Sequence, residues 1–389
     1  MSKEEKKVIK RDNWTSSFTL VGKPIINSDY TFTLDKKSEK SDWVYNSLNL
    51  GIDCGEKFGV VYVDCIGGYG EDRDTVIYAH GKNEDSTDNF DEQIIVDWED
   101  RLNEDILEKI GDLSFITVGL EKTDKGKVFY KKFLSEYDAI AYMKKYLTED
   151  MVVTVRGNLN YSEYNGNTQV KKNITSIRLN ESAKEPSDFF AHFTQSILID
   201  KYSASLKNID KDKSVMYVDA LVLDYLKEKN GVEIRSQYPF KKQFEFELDL
   251  TNQEQCKKIM DKLFKVKKGY TQITFVGDLI EGGAVTTVTI DEVPDDIKDL
   301  IGVIYTEEEA LEQCSKNGSR EKRMVLRKPY IKLVGDEKTP VLQRFENKYE
   351  EEDLVFDLGD SEEEVPFDAD NSEVESTDVG DGLDWLNSL

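Results

Sequence analysis

Hydrophobic residues recur along this chain mostly at every second position, the period of a strand with one buried face. The alternation predicts strands over residues 18–26, 30–34, 43–53 and 59–66. The last of these reads Val60-Val61-Tyr62-Val63-Asp64-Cys65-Ile66 before Gly67, Gly68 and Gly70 interrupt it. Residues 71–112 are acidic and contain one helix-like stretch, 97–110, so they read as an insertion over a loop. Strands resume over 114–120 and 127–133, joined by a turn at 122–126. The period then changes: Ala139, Ile140, Met143, Tyr146 and Leu147 are spaced for one face of a helix over 136–147. A hairpin follows, 152–164 and 167–179, around Asn165-Gly166, a pair that supplies the two positive φ values of a type I′ turn.

Past a polar linker at 181–188 the series repeats. Strands over 193–199, 214–224 and 240–250, a helix over 253–264, and strands over 271–279 and 285–290 about Gly282-Gly283 make a second set. Two echoes tie the sets together. Val215-Met216-Tyr217-Val218-Asp219 matches Val60-Val61-Tyr62-Val63-Asp64, and Val276-Gly277-Asp278-Leu279 matches Arg156-Gly157-Asn158-Leu159. About five strands with one helix between the third and the fourth is the order of an OB-fold, a small Greek-key barrel. The expectation is a mainly β chain with few helices and two tandem OB-folds. A basic arm at 1–12 precedes a first barrel over 13–180, which carries the 71–112 insertion. After the linker come a second barrel with a C-terminal extension over 189–349 and an acidic tail over 350–389. A length of 389 residues fits two such domains better than one. Within the extension, 307–313 reads as helical and 328–334 as a strand that adds to the second barrel.

Charge changes the picture at the end of the chain. Residues 350–389 hold sixteen Asp and Glu and no Lys, Arg or His. The acids come in runs that lead into apolar clusters: Leu354, Val355 and Phe356; Val365, Pro366 and Phe367; Leu383, Trp385, Leu386 and Leu389. A segment so charged cannot bury a core and is expected to be disordered. It is either a solubilising tail or a set of docking motifs that fold onto basic, apolar grooves of partners, with Phe356, Phe367, Leu383, Trp385, Leu386 and Leu389 as the contact residues. The formal charge of −26 argues against nucleic acid only until it is partitioned. The tail carries −16, residues 71–112 carry −11, and the remainder is +1. Positive surface can then be local.

No stretch reaches the roughly 18 apolar residues of a membrane helix, and no apolar segment follows the Lys-rich start, so neither a span nor a signal peptide is expected and a cytoplasmic setting is. Cys54, Cys65, Cys256 and Cys314 are scattered and the two histidines complete no ligand set, so no disulfide framework, metal or cofactor is expected. Walker, GxSxG and HExxH patterns are absent, which argues against an enzyme.

Binding a single strand needs aromatic faces for bases, about 1 to 3 kcal/mol each, interleaved with cations for phosphates. Lys125, Lys127, Phe129 and Lys131 interleave in this way, with Phe129 on the open face of its strand and Tyr130 on the core side. On the hairpin Arg156, Tyr161, Tyr164, Lys171 and Lys172 qualify. Tyr164 adjoins a two-residue turn and is hard to bury, whereas Tyr161 reads equally as core or surface. Trp43, after Lys36, Lys37 and Lys40, is as readily core as contact. In the second set Tyr238, Lys241 and Lys242 are comparable, and the basic run at 320–328 is either a solvated face or a further contact.

The run Val155-Arg156-Gly157-Asn158-Leu159, Tyr164 five residues on, the turn and the alternating strand 168–179 resemble the fourth and fifth strands of bacterial and phage single-stranded DNA-binding proteins. In that family the pattern is V-x-G-x-L, with a Trp or Tyr on a long hairpin. Glu363-Glu364-Val365-Pro366-Phe367 is similar to the acidic-apolar tip of bacterial members, although it lies inside the tail, and this chain has two barrels where the common bacterial protein has one. The resemblance implies a non-catalytic protein of bacteriophage replication type. It would coat single-stranded DNA with little sequence preference during replication, recombination and repair. Its tail would recruit partner proteins and compete with DNA. Two other readings stay open: an acidic scaffold whose barrels bind protein, and an RNA-binding OB-fold protein.

Overall fold

The alternating segments close on themselves twice. The computed structural model describes residues 9–282, 290, 293–298, 300–307, 310–311, 321–335 and 337–356. Its first half contributes β1 (Ser16–Ile25), β2 (Phe32–Lys37), β3 (Trp43–Asp53), β4 (Val60–Gly70), β5 (Val76–Lys82) and β6 (Asp88–Asp97). A short helix α1 (Glu104–Leu107) precedes β7 (Ile116–Lys122), β8 (Val128–Phe133), helix α2 (Glu136–Tyr146), β9 (Val153–Tyr164) and β10 (Asn167–Leu179). Strands β1, β3, β4, β10 and β9 pair in that order and β9 returns to β1, which closes a five-stranded barrel. Helix α2 enters between the third and fourth strands of the ring, N-capped by the Ser135 hydroxyl, with Ala139, Ile140 and Met143 in the core.

The second half contributes β11 (Phe190–Ile199), β12 (Ala204–Asp210), β13 (Val215–Lys229), β14 (Val232–Glu247), helix α3 (Gln253–Ile259) and β15 (Tyr270–Gly282). After α4 (Asp295–Lys298) come β16 (Glu321–Pro329), β17 (Ile331–Val334), β18 (Thr339–Leu342), β19 (Arg344–Tyr349) and α5 (Glu351–Leu354). Strands β11, β13, β14, β16 and β15 pair in that order and β15 returns to β11. The chain is thus mainly β, and both rings have the OB order. No helix among the described residues is long and apolar enough to cross a membrane.

The barrels meet through their first strands. β1 pairs antiparallel with β11, and Phe18 stands opposite Phe193. Each phenylalanine also lies opposite a glycine of its own barrel, Gly157 on β9 and Gly277 on β15. A Cβ on Gly157 would lie 2.7 Å from the Phe18 ring, and one on Gly277 would lie 2.4 Å from the Phe193 ring. The two rings therefore need these glycines, which is why Arg156-Gly157-Asn158-Leu159 and Val276-Gly277-Asp278-Leu279 echo each other. Asp278 adds a second tie. Its buried carboxylate accepts from Lys57, in the β3–β4 turn of the first barrel, and from His192 and Arg327 of the second. Burial alone would raise that carboxyl, but the three hydrogen bonds outweigh it and hold it well below the usual carboxylate range.

Several expectations are corrected. The Val60 and Val215 echo does not align equivalent strands, because β4 is third in its ring and β13 is second. The fifth strand of the second ring is β16; residues 285–289 lie outside the described residues, as do 308–309 and 312–313 of the expected helix. The strand expected over 328–334 divides between β16 and the β17–β18 ribbon. The triple-glycine run does not end a strand, since β4 continues through Gly70. Gly67 is there because α2 passes close: a Cβ would lie 2.6 Å from that of Glu136. The acidic insertion is chiefly the β5–β6 hairpin, and the helix expected over 97–110 is reduced to α1 and a single turn at Trp98–Asp100. That turn docks on the barrel through Trp98, which stacks on Tyr69 and carries the Arg101 guanidinium on its ring.

Residues 9–12 of the arm and the start of the tail are also packed rather than free, and residues 1–8 lie outside the described residues. Ile9 is buried with Leu198, Leu223, Tyr349 and Leu354. Arg11 pairs with Asp224 at 3.3 Å, and the Tyr349 hydroxyl donates to the Lys10 carbonyl at 2.6 Å. Residues 357–389, the rest of the expected tail, lie outside the described residues.

Candidate nucleic-acid interface

On β3 and β4 the inward set is Leu48, Leu50, Ile52, Val61, Val63 and Cys65, all buried. Alternation turns the other set outward: Trp43, Tyr45, Ser47 and Asn49 on β3, and Tyr62, Asp64 and Ile66 on β4. Cross-strand pairing arranges them in rows. Lys36 of β2 lies beside Tyr45, Asn49 lies beside Asp64 and then Asn173 of β10, and Tyr62 lies beside Gly51. The Trp43 ring stacks on that of Tyr45, with centroids 4.6 Å and planes 17° apart, so Tyr45 is covered and Trp43 presents the outer face. Tyr62 is 36% exposed. Lys171 acts on Asp64 from β10. Burial raises the Asp64 carboxyl while Lys172, Lys171 and Lys322 pull it down, and burial lowers the Lys171 amine. The face thus combines aromatic planes, exposed amides and cations, the set of groups that can stack bases and follow phosphates.

The same positions of the second ring are occupied otherwise. The outward residues of β13 and β14 include Tyr217, Asp219, Lys241, Gln243, Glu245 and Glu247. Gln243 donates to Asp219, Arg323 to Glu245, and Arg327 to Glu247. Further along, Leu221 and Leu223 lie under the packed arm and α5. Arg323 and Arg327 of the basic run are therefore engaged with carboxylates of their own barrel, and Arg320 lies outside the described residues.

The hairpin expectations divide. Asn165 and Gly166 have φ of 50° and 76°, as the type I′ turn requires, and Tyr164 beside them is 53% exposed. Arg156 is exposed on the outer side of β9. Tyr161, however, is a core residue at 4% exposure: its hydroxyl donates to Gln195 and its N–H to Asp224 of β13. Lys172 is likewise buried, donating to Glu281 at 2.6 Å. Tyr161 is covered because the β9–β10 and β13–β14 hairpins are long enough to pack on each other across the barrels, as the Lys229–Glu163 pair at 3.1 Å also records, and Lys172 because β10 meets the end of β15.

Phe129 and Tyr130 are 47% and 48% exposed, so Tyr130 is not the core residue expected. With Lys125, Lys127 and Lys131 they sit on β8 and its turn, at an edge separated from β10 by β7. They form a second patch and do not join the β3–β4 face. Tyr238 is corrected to core: it is buried, accepts from Lys229, and packs edge-on against Phe240 and beside Phe356. Phe356 is thereby corrected too, since it packs on its own chain and is not displayed for a partner. Lys241 is exposed on β14, and Lys242 is half-buried on the side facing β10. Phe367, Leu383, Trp385, Leu386 and Leu389 lie outside the described residues. The sequence reading passed over Tyr45 and Tyr62, although the alternation Val61, Tyr62, Val63 already turned Tyr62 outward.

A family model described as YorF matches residues 117–317, more than half of the chain. No curated protein matches it. Among solved structures, a deletion mutant of the single-stranded DNA binding protein from Thermus aquaticus is similar over 82% of this chain and 94% of its own, at 7% identity and a TM-score of 0.33.

Proposed function

The chain belongs to the YorF family, and we propose that it is a non-catalytic protein that binds single-stranded DNA, with little sequence preference, on the β3–β4 face of its first barrel. The observation that carries this reading is the outward row of Trp43 on Tyr45, Tyr62, Lys36 and Lys171, which offers stacking planes beside cations. A role in replication, recombination or repair of phage DNA fits such a coat protein. In this reading Tyr164 and Arg156 extend the track along β9, and the β8 patch of Lys125, Lys127, Phe129 and Lys131 is an auxiliary contact. Phe356, the last described residue before the acidic tail, lies beside Tyr238, next to the paired hairpins. From there the tail competes with DNA for the cations and recruits partner proteins through Phe367 and Trp385.

The test is a titration of labelled dT oligomers at several salt concentrations, with the full chain and with a chain truncated after Phe356. Affinity is expected to fall with log salt by about 0.7 per phosphate neutralised, and truncation is expected to tighten binding at low salt. A truncated chain that binds no dT at low salt leaves the scaffold reading in its place. Competition between dT and rU oligomers separates DNA from RNA as the preferred strand.

A further inference from the structure

Where β10 of the first barrel meets β14, β15 and β16 of the second, lysines outnumber carboxylates. The Lys172–Glu281 pair is buried, with side chains only 7% and 9% exposed. Glu281 is fixed by the first barrel, since its N–H donates to the Phe58 carbonyl at 2.9 Å. Its carboxylate is therefore held and already engaged. Lys242 lies within electrostatic reach of Lys172, Glu281 and Lys322. It is half-buried, yet makes no ion pair or hydrogen bond among the described residues. Lys171 and Lys322 act in turn on Asp64, the second carboxylate of the seam. Among the described residues, Lys172, Lys242 and Lys322 thus share Glu281 and Asp64 in a place partly closed to water. An ammonium buried without a counter-charge is costly and tends to lose its proton or find an anion. Burial, with Lys172 adding to it, already lowers the Lys242 amine.

We propose that this seam is a phosphate site, in which Lys242 and Lys322 gather around the Lys172–Glu281 pair to hold a phosphate group. A surplus positive charge there suits a phosphodiester. The site stands on its own geometry. That its phosphate belongs to a nucleic-acid strand crossing from the first barrel to the second rests on the function proposed above. Such a strand would meet stacking planes first and the seam next, and the seam would add affinity only for strands long enough to reach it.

Two measurements on the full chain test this. In the first, thermal unfolding is followed in sodium tripolyphosphate and in sodium chloride of equal ionic strength. The wild type is expected to gain Tm from tripolyphosphate beyond the chloride control, and Lys242→Gln/Lys322→Gln to lose that gain. No gain in the wild type, or an equal gain in the double variant, overturns the site. In the second, dT oligomers of about 8 nucleotides, within the reach of one barrel, are compared with oligomers of about 30. The double variant is expected to weaken the long oligomer about tenfold, reduce its salt slope by about 0.7 per lost phosphate contact, and leave the short one unchanged. Equal losses at both lengths overturn the crossing. If the wild type binds neither length, the nucleic-acid reading falls while tripolyphosphate still decides the site. Should Lys242→Gln unfold the chain, Lys322→Glu, at the exposed rim, is expected to abolish the same gain.

Discussion

The two barrels are built on one plan and finished differently. Both rings run first, second, third, fifth, fourth strand, and each buries a phenylalanine of its first strand against a glycine of its fourth. Outside, the first barrel shows rings, amides and lysines, whereas the second pairs its outward glutamates with arginines and lies partly under the residue 9–14 arm. Ring order therefore fixes where a face will be, and the residues at alternate positions of two strands decide what it can do. A repeated fold need not carry a repeated site.

Four measurements would break or sharpen that contrast. The largest effect is expected at the shared centre. Phe193→Ala should cost about 3 to 5 kcal/mol in urea unfolding, and because β1 and β11 pair there, both barrels should unfold in one transition. Two separated transitions would show the halves to be independent. Next is Asp278→Asn, expected to cost about 1.5 to 3 kcal/mol through its charged hydrogen bonds. The folded-state pKa of Asp278 is depressed, so its contribution is present above the unfolded value of about 3.9 and disappears as pH falls through the folded value. Wild type and variant stabilities should thus differ most near neutral pH and converge in strong acid; a gap that widens on acidification would contradict the tie.

Smaller effects concern the faces. Trp43→Ala and Tyr62→Ala should each weaken dT binding by about 1 to 3 kcal/mol with little change in Tm, while Tyr217→Ala on the second barrel should change it by less than about 0.5 kcal/mol. Equal losses on both barrels would erase the asymmetry. The smallest is Tyr164→Ala at the hairpin tip, about 1 kcal/mol at the low end of a stacked base; fluorescence titration at fixed salt resolves it.

Much of the plan was legible because it is local. The Asn165-Gly166 turn, the α2 spacing and the Gly157 and Gly277 echo each express a constraint within a few residues. What escaped is non-local. Tyr161 is buried because two hairpins from different barrels pack together, Tyr238 packs beside Phe356 from far along the chain, and the partner of Lys172 stands 109 residues away. The second ring's last strand could not be placed by hairpin logic, because 38 residues separate β15 from β16. Trp98 and Arg101 imitated a helical segment while serving to anchor an insertion. The outward aromatics were readable in principle, since Tyr62 lies between two inward valines, but a strand's two faces look alike until the ring has closed.

The strap of residues 9–14 has a consequence for how the molecule is made. Its partners Leu223, Ser236, Tyr349 and Leu354 are synthesised long after it. At about 5 to 20 residues per second, Ile9 and Trp14 wait some tens of seconds for a surface to cover them. The first barrel can close during that time, but the fold is fastened only when this strap meets residues made more than two hundred positions later.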